Sequence, residues 1–183
     1  MEIPGPIAGP SRGGTELKLF GLIGSMWTTC IFGTATTPIE RHEGISYCLS
    51  PTSTGPRQLF GISIGRTDVL HTSHAAFMFH EHVVLHGVWP ARGPVAGGSR
   101  LIITGGPFQR RASALQHLLC RIGLSVVHAT YSGVNTLKCT SPSASTTSWE
   151  LLEVSVNLLD FTASALTFEY LSLIHISEPT RPY

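Results

Sequence analysis

The stretch GVNTLKCTSP (Gly133–Pro142) ends in Cys-x-Ser-Pro, and an earlier stretch, GISYCLSP (Gly44–Pro51), ends in the same pattern. The chain contains only 4 cysteines, so the two copies of this pattern use half of them. A motif that recurs at a wide interval signals an internal repeat, which has to be recognised before any fold is assigned. The pattern therefore predicts that one kind of structural unit is present twice.

The rest of the chain repeats in the same order. It aligns with itself at an offset that drifts from 84 (Pro6 with Pro90) to 92 (Asp68 with Asp160), as loop insertions between fixed elements would produce. The matching landmarks are Gly13-Gly14-Thr15 with Gly97-Gly98-Ser99, Cys30 with Cys120, Cys48 with Cys139, and Phe77-Met78-Phe79 with Phe168-Glu169-Tyr170. We predict two domains, residues 3–80 and 83–170, joined near His80 to Leu85.

Each repeat consists of short apolar runs separated by turn residues about 8 to 12 positions apart, which is typical of an all-β sandwich. Alternation from Leu152 to Asn157 predicts one face in the core and one in water. Both Gly-Gly pairs fit tight turns with positive φ, and the best helix candidate is the short segment 110–119. In the second repeat the predicted strands are Val83–Trp89, Arg100–Thr104, Leu118–Ile122, Val126–Tyr131, Thr136–Cys139, Leu152–Asn157 and Leu166–Tyr170.

Composition argues against two classes of partner. Charged residues are 13% of the chain and the net charge is +1, with no basic run beyond the solvated pair Arg110-Arg111, so no nucleic-acid interface is expected. No apolar run reaches about 18 residues, so no membrane span is expected. The N-terminus, MEIPGPIAGPSRGG, lacks the features of a signal peptide. The chain is therefore either cytosolic or a fragment of a longer protein.

The landmarks together resemble the IPT/TIG family, the immunoglobulin-like domain shared by plexins, related growth-factor receptors and some transcription factors. The first repeat has Asp68-Val69 where the second has Asp160-Phe161. The second repeat carries the family pattern as PARGPVAGGSRLIITG, CRIG, CTSP, VSVN, DFT and LTFEY, and the first carries it as PIAGPSRGGTELKLFG, CIFG, CLSP and FMF.

The resemblance implies two tandem early-set immunoglobulin-like β-sandwiches without a catalytic centre, cofactor or metal. Such domains serve as spacers, stacking modules or partner-binding surfaces. We expect a fragment of a larger extracellular or cell-surface protein whose partners are neighbouring repeats and an unidentified protein. Two alternatives stay open: a carbohydrate-binding or accessory module attached to a polysaccharide-active enzyme, and an intracellular transcription-factor-type domain.

The cysteines fall into two pairs with similar spacing, Cys30 with Cys48 and Cys120 with Cys139. An even count with repeated spacing predicts one disulfide in each repeat. Each bond would contribute about 3 kcal/mol and would persist only in an oxidising compartment. The alternative is four buried free thiols that pack as small hydrophobes. The spacing does not suit zinc, and neither Asn135 nor Asn157 lies in a glycosylation signal, which weakens the secreted interpretation slightly.

Gly61-Ile-Ser63-Ile-Gly65 satisfies G-x-S-x-G, the nucleophile elbow of α/β-hydrolases, and Asp68 and several histidines follow it. An elbow requires a sharp turn from a strand into a helix. No helical pattern follows here, and the repeat aligns Ser63 with Ser155 inside an alternating strand. We interpret the motif as a chance match.

Histidines and tryptophans offer two further candidate sites. His80 and His82 could share a strand face and bind a metal or form a pH-sensitive hinge, but we favour ordinary polar surface at the junction, with Phe77 and Phe79 facing the core. The remaining histidines of this segment are His71, His74 and His86. The tryptophans fall at unlike positions in the two repeats, so we expect core or junction packing rather than a sugar-stacking platform for Trp27, Trp89 and Trp149.

The C-terminal stretch LSLIHISEPTR (Leu171–Arg181) has no counterpart after Phe79. It resembles, residue for residue, the translation of a common transposon-end sequencing adapter. We therefore predict that residues 171–183 are a non-native tail that has no place in fold reasoning, with a short natural partner-binding terminus as the alternative. We expect the natural protein to continue differently beyond Tyr170.

Overall fold

Strands make up nearly all of the regular structure, which confirms the predicted all-β class. The computed structural model describes residues 8–20, 27–53, 55–64 and 68–172, without the side chains of residues 27, 28, 64 and 68–75. The chain divides into two units, Met1–His82 (unit 1) and Val83–Tyr183 (unit 2). Among the described residues, no helix has both the length and the apolar character needed to cross a membrane.

Unit 1 is built from two sheets. One sheet has the strand order β1-β8-β7-β3-β4 and the other has the order β2-β6-β5. The strands of unit 1 are β1 (Ala8–Pro10), β2 (Glu16–Leu19), β3 (Trp27–Phe32), β4 (Ala35–Pro38), β5 (Glu40–His42), β6 (Ile45–Leu49), β7 (Arg57–Ile64) and β8 (Asp68–His80).

Unit 2 repeats this plan. Its two sheets have the orders β10-β17-β16-β12-β13 and β14-β15-β11-β9. The elements of unit 2 are β9 (Val84–Trp89), β10 (Arg92–Pro94), β11 (Arg100–Gly106), α1 (Arg110–Ala114), β12 (Leu119–Ile122), β13 (Ser125–His128), β14 (Thr130–Gly133), β15 (Thr136–Thr140), β16 (Trp149–Ser155) and β17 (Thr167–Leu171).

The short strand that precedes each Gly-Gly turn shows how closely the two units correspond. In unit 1, β1 runs parallel to the last strand, with Ala8 opposite Met78. In unit 2, β10 runs parallel to the last strand, with Arg92 opposite Glu169. Since the strand orders of the five-stranded sheets also correspond position by position, the predicted pair of immunoglobulin-like β-sandwiches is confirmed.

The core of each unit lies between its two sheets and follows the period-2 pattern of strands. In β11, Leu101 and Ile103 are fully buried while Arg100 is exposed. Unit 1 depends more on aromatic residues, because Phe32 packs edge-to-face against Phe60 and Phe77 with ring centroids 5.1 and 5.4 Å apart. Such pairs stabilise a core beyond the area that they bury.

The predicted strands differ from the structure in three places. The predicted strand Val126–Tyr131 is two strands, because the chain passes from one sheet to the other at Ala129, whose N–H donates to the Leu118 carbonyl at 2.9 Å. The parallel strand β10 was not predicted, and the helix candidate 110–119 contains only the helix α1. Alternation within one segment cannot reveal such sheet changes, since they depend on distant partners.

The alternation predicted for Leu152–Asn157 is wrong beyond Val154. Strand β16 ends at Ser155, and both Ser155 and Asn157 are buried instead of facing water. The Asn157 side chain accepts the backbone N–H of Asp160 and donates to the Asp160 carboxylate, both at 2.8 Å. These bonds satisfy the buried amide and close the loop after β16, which explains why a polar side chain is tolerated there.

Candidate functional site

The Cys-x-Ser-Pro motif forms a hydrogen-bonded clamp with the Gly-Gly-Ser turn of unit 2. The Ser99 N–H donates to Ser141 Oγ at 3.0 Å, and the Ser141 N–H donates back to the Ser99 carbonyl at 2.9 Å. The Gly98 N–H donates to the Ser141 carbonyl at 2.9 Å. In addition, the Tyr170 hydroxyl donates to the Pro142 carbonyl at 2.9 Å. The motif therefore ties the turn before β11 to the end of β15.

Unit 1 contains the same clamp. The Thr15 N–H donates to Ser50 Oγ at 3.0 Å, the Ser50 N–H donates to the Thr15 carbonyl at 2.9 Å, and the Gly14 N–H donates to the Ser50 carbonyl at 2.8 Å. The serine is buried in both motifs. The recurrence of Cys-x-Ser-Pro thus has a structural explanation, because its serine makes the same hydrogen bonds in both units.

The cysteine of the first motif belongs to a disulfide. Cys30 on β3 and Cys48 on β6 are bonded across the two sheets of unit 1, with Cα atoms 6.5 Å apart. Both residues are buried, at 0% and 1% exposure. This confirms the predicted disulfide in the first repeat.

The second pair differs, because Cys120 on β12 and Cys139 on β15 are free, buried thiols. The disulfide predicted between them is not formed in the structure. A hydrogen bond to Cys139, burial and the Cys139 charge raise the pKa of Cys120 above its ordinary value. Sequence spacing predicts that two sulfurs meet, whereas their oxidation state is a separate property that spacing does not determine.

The G-x-S-x-G serine lies in a strand. Ser63 is buried in β7, opposite Val69 of β8 and Thr29 of β3, and its Oγ hydrogen-bonds Thr29 Oγ1. The described residues show no strand-to-helix turn at this position, as a nucleophile elbow would need. The side chain of Asp68 lies outside the described residues.

The histidine segment does not converge on a metal site in the described part of the chain. His80 Nδ1 is 2.9 Å from the Glu81 carbonyl, whereas His82 is exposed and its Nε2 lies 3.4 Å from an Arg12 guanidinium nitrogen. Among the described residues, no three His, Cys, Asp or Glu side chains are arranged to hold a metal. The side chains of His71 and His74 lie outside the described residues, and Phe77 and Phe79 face the core as predicted.

The core or junction packing expected for the tryptophans is wrong for two of them. Trp89 is 71% exposed and Trp149 is 61% exposed, while the side chain of Trp27 lies outside the described residues. Trp89 is opposite Ile102 in one sheet, and Trp149 is opposite Glu169 in the other. Both tryptophans occupy outward positions of their strands, so strand alternation places them in solvent.

Trp89 belongs to a mixed aromatic and basic surface on the outer face of the four-stranded sheet. Ile102 is opposite both Trp89 and Lys138, so the three side chains share one face. Arg100, two residues from Ile102, points to the same side and is opposite Thr140. These residues line a groove of about 590 Å³, the Trp89 groove, together with His128 and Thr130.

The Trp89 groove carries unneutralised positive charge. Arg100 and Lys138 are exposed, and neither forms an ion pair with another described residue. By contrast, Arg121 of the other sheet is 2.6 Å from the Glu153 carboxylate and lies over the Phe161 ring. Sequence reasoning missed this groove. Alternation could have placed each side chain outward, but only strand pairing brings them together.

Comparison with known proteins supports the resemblance of unit 2 to the IPT/TIG family. Residues 84–170 match the family model of the IPT/TIG domain, and this match ends at the last residue before the predicted adapter-derived tail. A comparison with curated protein sequences found no significant match.

Solved structures are similar at the level of the fold. The chain is similar to the plexin A4 full extracellular region, with a TM-score of 0.54, 17% identity and coverage of 94% of this chain. It spans only 15% of the length of that plexin chain. Bacteroides ovatus SGBP-B, solved with a mixed-linkage heptasaccharide, matches with a TM-score of 0.35 and 11% identity over 94% of this chain and 44% of its own.

Proposed function

Because residues 84–170 match the IPT/TIG family model, we propose that this chain is a spacing and protein-recognition segment of a larger extracellular or cell-surface protein. IPT/TIG domains are a non-catalytic immunoglobulin-like family. We further propose that residues 3–80 are a second domain of this type in tandem with residues 83–170, and that residues 171–183 are a non-native tail.

The observation that carries this proposal is the bond between Cys30 and Cys48. A buried disulfide that joins the two sheets of a small sandwich is typical of proteins in oxidising compartments, because cytosolic reductants keep thiols reduced. The bond also argues against the intracellular transcription-factor-type alternative, because that alternative requires reduced cysteines as well as a basic loop face. The repeated clamp supports two domains of one kind, since the same three hydrogen bonds form around Ser50 in unit 1 and around Ser141 in unit 2.

Immunostaining of the source cells tests the proposed location. Antibodies against residues 83–172 are expected to label intact cells or the extracellular matrix without permeabilisation. Antibodies against a cytosolic protein serve as the control and should label only permeabilised cells. Labelling that requires permeabilisation, and that does not coincide with secretory compartments, would contradict the extracellular proposal.

Counting thiols tests the cysteine chemistry of the same protein. When native protein is alkylated under denaturing, non-reducing conditions, Cys30 and Cys48 are expected to stay unlabelled, and intact-mass analysis then counts the labelled thiols. A count of two labelled thiols means that Cys120 and Cys139 are free. A count of zero means that each unit contains a disulfide. Four labelled thiols would contradict the proposal and favour an intracellular domain.

The carbohydrate-binding alternative is favoured by one observation, the exposure of Trp89 beside polar side chains on a sheet face. Trp149, the other exposed tryptophan among the described residues, lies on the opposite sheet and lines a different groove. The two tryptophans therefore do not form the clustered aromatic pair of a sugar-stacking platform. Any sugar recognition by unit 2 would depend on Trp89 together with the charged groups around it.

A further inference from the structure

We propose that the Trp89 groove of unit 2 binds an acidic oligosaccharide, a glycan that carries sulfate or carboxylate groups. This inference rests on the proposed extracellular role, because acidic glycans of this kind occur outside cells. Cell staining and thiol counting test that role, whereas direct titration of the purified chain tests the groove, so the two proposals can fail separately.

The Trp89 side chain provides a flat apolar surface for a sugar ring. With 71% of the residue exposed, most of the indole is in contact with water, which is unfavourable for so large an apolar surface. A sugar ring has an apolar C–H face that can cover the indole while its hydroxyl groups stay hydrated. Tryptophan suits such an interface because it combines a large apolar body with one polar N–H.

The charge of the groove selects for an anion. Arg100 and Lys138 lie on the same face as Trp89 and have no carboxylate partner among the described residues. The described acidic residues of unit 2, Glu150, Glu153, Asp160 and Glu169, do not line the groove. Arginine binds carboxylate or sulfate oxygens through paired N–H donors, and lysine adds a point charge.

The spacing of these groups suits a ligand of more than one ring. Trp89 and Lys138 are on strands separated by β11, so their backbones lie roughly 10 Å apart, twice the distance between neighbouring strands. One ring can stack on Trp89 while an acidic group on the next ring reaches the cations. The exposed hydroxyls of Thr130 and Thr140 can donate to or accept from sugar hydroxyls at the same surface.

The floor of the groove favours a glycan over a peptide that adds a strand, and the unpaired edge of the sheet lies at β9, beside the floor. Peptides that bind sheets commonly add a strand to a free edge and gain backbone hydrogen bonds. Ile102, at the floor of the groove, lies on β11, which is paired on both sides, with β9 and β15. The floor therefore offers side chains rather than unpaired backbone groups, as a side-chain-recognised glycan requires.

The corresponding face of unit 1 differs in charge, because it carries acidic side chains. There Glu16, Lys18 and Tyr47 take the positions of Arg100, Ile102 and Lys138, and the Tyr47 hydroxyl donates to the Glu40 carboxylate at 2.8 Å. That hydrogen bond, with the charges of Glu40 and Glu16, raises the pKa of Tyr47. Two carboxylates disfavour an anionic ligand, so binding is assigned to unit 2 alone.

Titration of the full chain by isothermal calorimetry tests the proposal with four probes: a heparin-derived hexasaccharide, hexagalacturonate, neutral cellohexaose and hexaglutamate. We expect at least one acidic saccharide to bind, cellohexaose and hexaglutamate to bind at least about tenfold more weakly, and added salt to weaken the interaction. The sulfated and carboxylated probes show which acidic group is preferred. No binding of either acidic saccharide, or equal binding of cellohexaose or hexaglutamate, overturns the proposal.

Matched variants locate the site. Trp89→Ala and Lys138→Gln should each weaken binding about tenfold or more, since each removes a stacking surface or a charged hydrogen-bond donor. Trp149→Ala and Arg110→Gln remove an exposed tryptophan and an exposed arginine outside the groove and should change affinity less than twofold. All four positions are exposed, and thermal unfolding confirms that each variant is folded. If the control variants weaken binding as much as the groove variants, the assignment to this groove is wrong.

Discussion

At the residue scale, one serine explains why Cys-x-Ser-Pro occurs twice. In each unit its side chain accepts a backbone N–H from the turn that follows the Gly-Gly pair, and its own backbone returns a hydrogen bond to the same residue. A backbone amide left without a partner in a part-buried turn destabilises the fold. The serine is therefore a structural requirement at a point where two distant segments meet.

Replacing that serine tests this explanation. Ser141→Ala is expected to lower the free energy of unfolding of unit 2 by about 1 to 2 kcal/mol, because the Ser99 N–H loses its acceptor. Denaturant unfolding measures the change, with Ser145→Ala, an exposed serine of the following loop, as the control. Equal effects of the two substitutions would show that the clamp contributes nothing measurable.

The free thiols predict a pH dependence that is specific to unit 2. Because the pKa of Cys120 is raised above its ordinary value of 9.0, the folded state keeps the proton that the unfolded state releases as the pH rises. This stabilisation is complete below pH 9 and is lost above it, at up to about 1.4 kcal/mol per pH unit.

Comparing wild type with Cys120→Ala isolates this contribution. Between pH 8 and pH 10 the free energy of unfolding should fall more steeply for the wild-type protein than for the variant. Ionising groups that do not interact with this pair contribute equally to both proteins, so the difference reports Cys120 together with its hydrogen-bond partner Cys139. Parallel pH profiles would mean that Cys120 ionises equally in both states or that it is oxidised in the native protein.

At the element scale, the two adjacent glycines of each Gly-Gly turn are required for different physical reasons. Gly97 and Gly98 have φ values of +76° and +83°, as the predicted positive-φ turn requires. A Cβ at Gly97 would lie 2.6 Å from the backbone of Pro142, whereas a Cβ at Gly98 would meet nothing within 4 Å. The first glycine is therefore required for close approach to Cys-x-Ser-Pro, and the second only for its backbone conformation.

Two alanine substitutions separate these requirements. Gly98→Ala is expected to cost about 1 to 2 kcal/mol, the ordinary penalty for a left-handed alanine. Gly97→Ala should cost more, because its Cβ also displaces the Pro142 backbone. Thermal or denaturant unfolding measures both, and a smaller cost for Gly97→Ala than for Gly98→Ala would contradict the packing explanation. The pair Gly13 and Gly14 in unit 1 has the same geometry and provides an internal repeat of the experiment.

The strands also show which features of the fold sequence patterns predict and which they miss. Strands β11 and β15, predicted as Arg100–Thr104 and Thr136–Cys139, were found to within two residues of their ends, because their period-2 burial depends on neighbouring residues. The break at Ala129 and the burial of Asn157 were missed. The break at Ala129 depends on a change of partner strand. The burial of Asn157 depends on hydrogen bonds with residues that lie beyond the end of β16.

At the scale of the whole molecule, each unit has its own core. The buried residues of the unit 2 core all lie between Val83 and Tyr170, and those of unit 1 lie between Leu17 and Phe79. A domain with a separate core can fold without its neighbour. Leu171 still belongs to β17, where its carbonyl accepts the Val95 N–H at 2.9 Å, while residues 173–183 lie outside the described residues.

Residues 83–172 expressed alone should therefore fold. We expect a cooperative thermal transition and a dispersed proton NMR spectrum typical of β-structure. A matched fragment of residues 91–172 lacks β9, and with it the buried residues Val83 and Leu85, so it should lose both signatures. A disordered 83–172 fragment would show that unit 2 depends on residues outside it.

The sequence by itself determined the class of this protein: two β-sandwich units, their landmark motifs and the pairing of Cys30 with Cys48 and of Cys120 with Cys139. These features depend on residue types at fixed local spacings, which a single sequence contains. Only the tertiary structure decided that Cys120 and Cys139 are free thiols, that Ser155 and Asn157 are buried, and that Trp89 lies beside Arg100 and Lys138. The physical reason is strand pairing, which sets register between segments far apart in the chain and so determines which outward side chains meet.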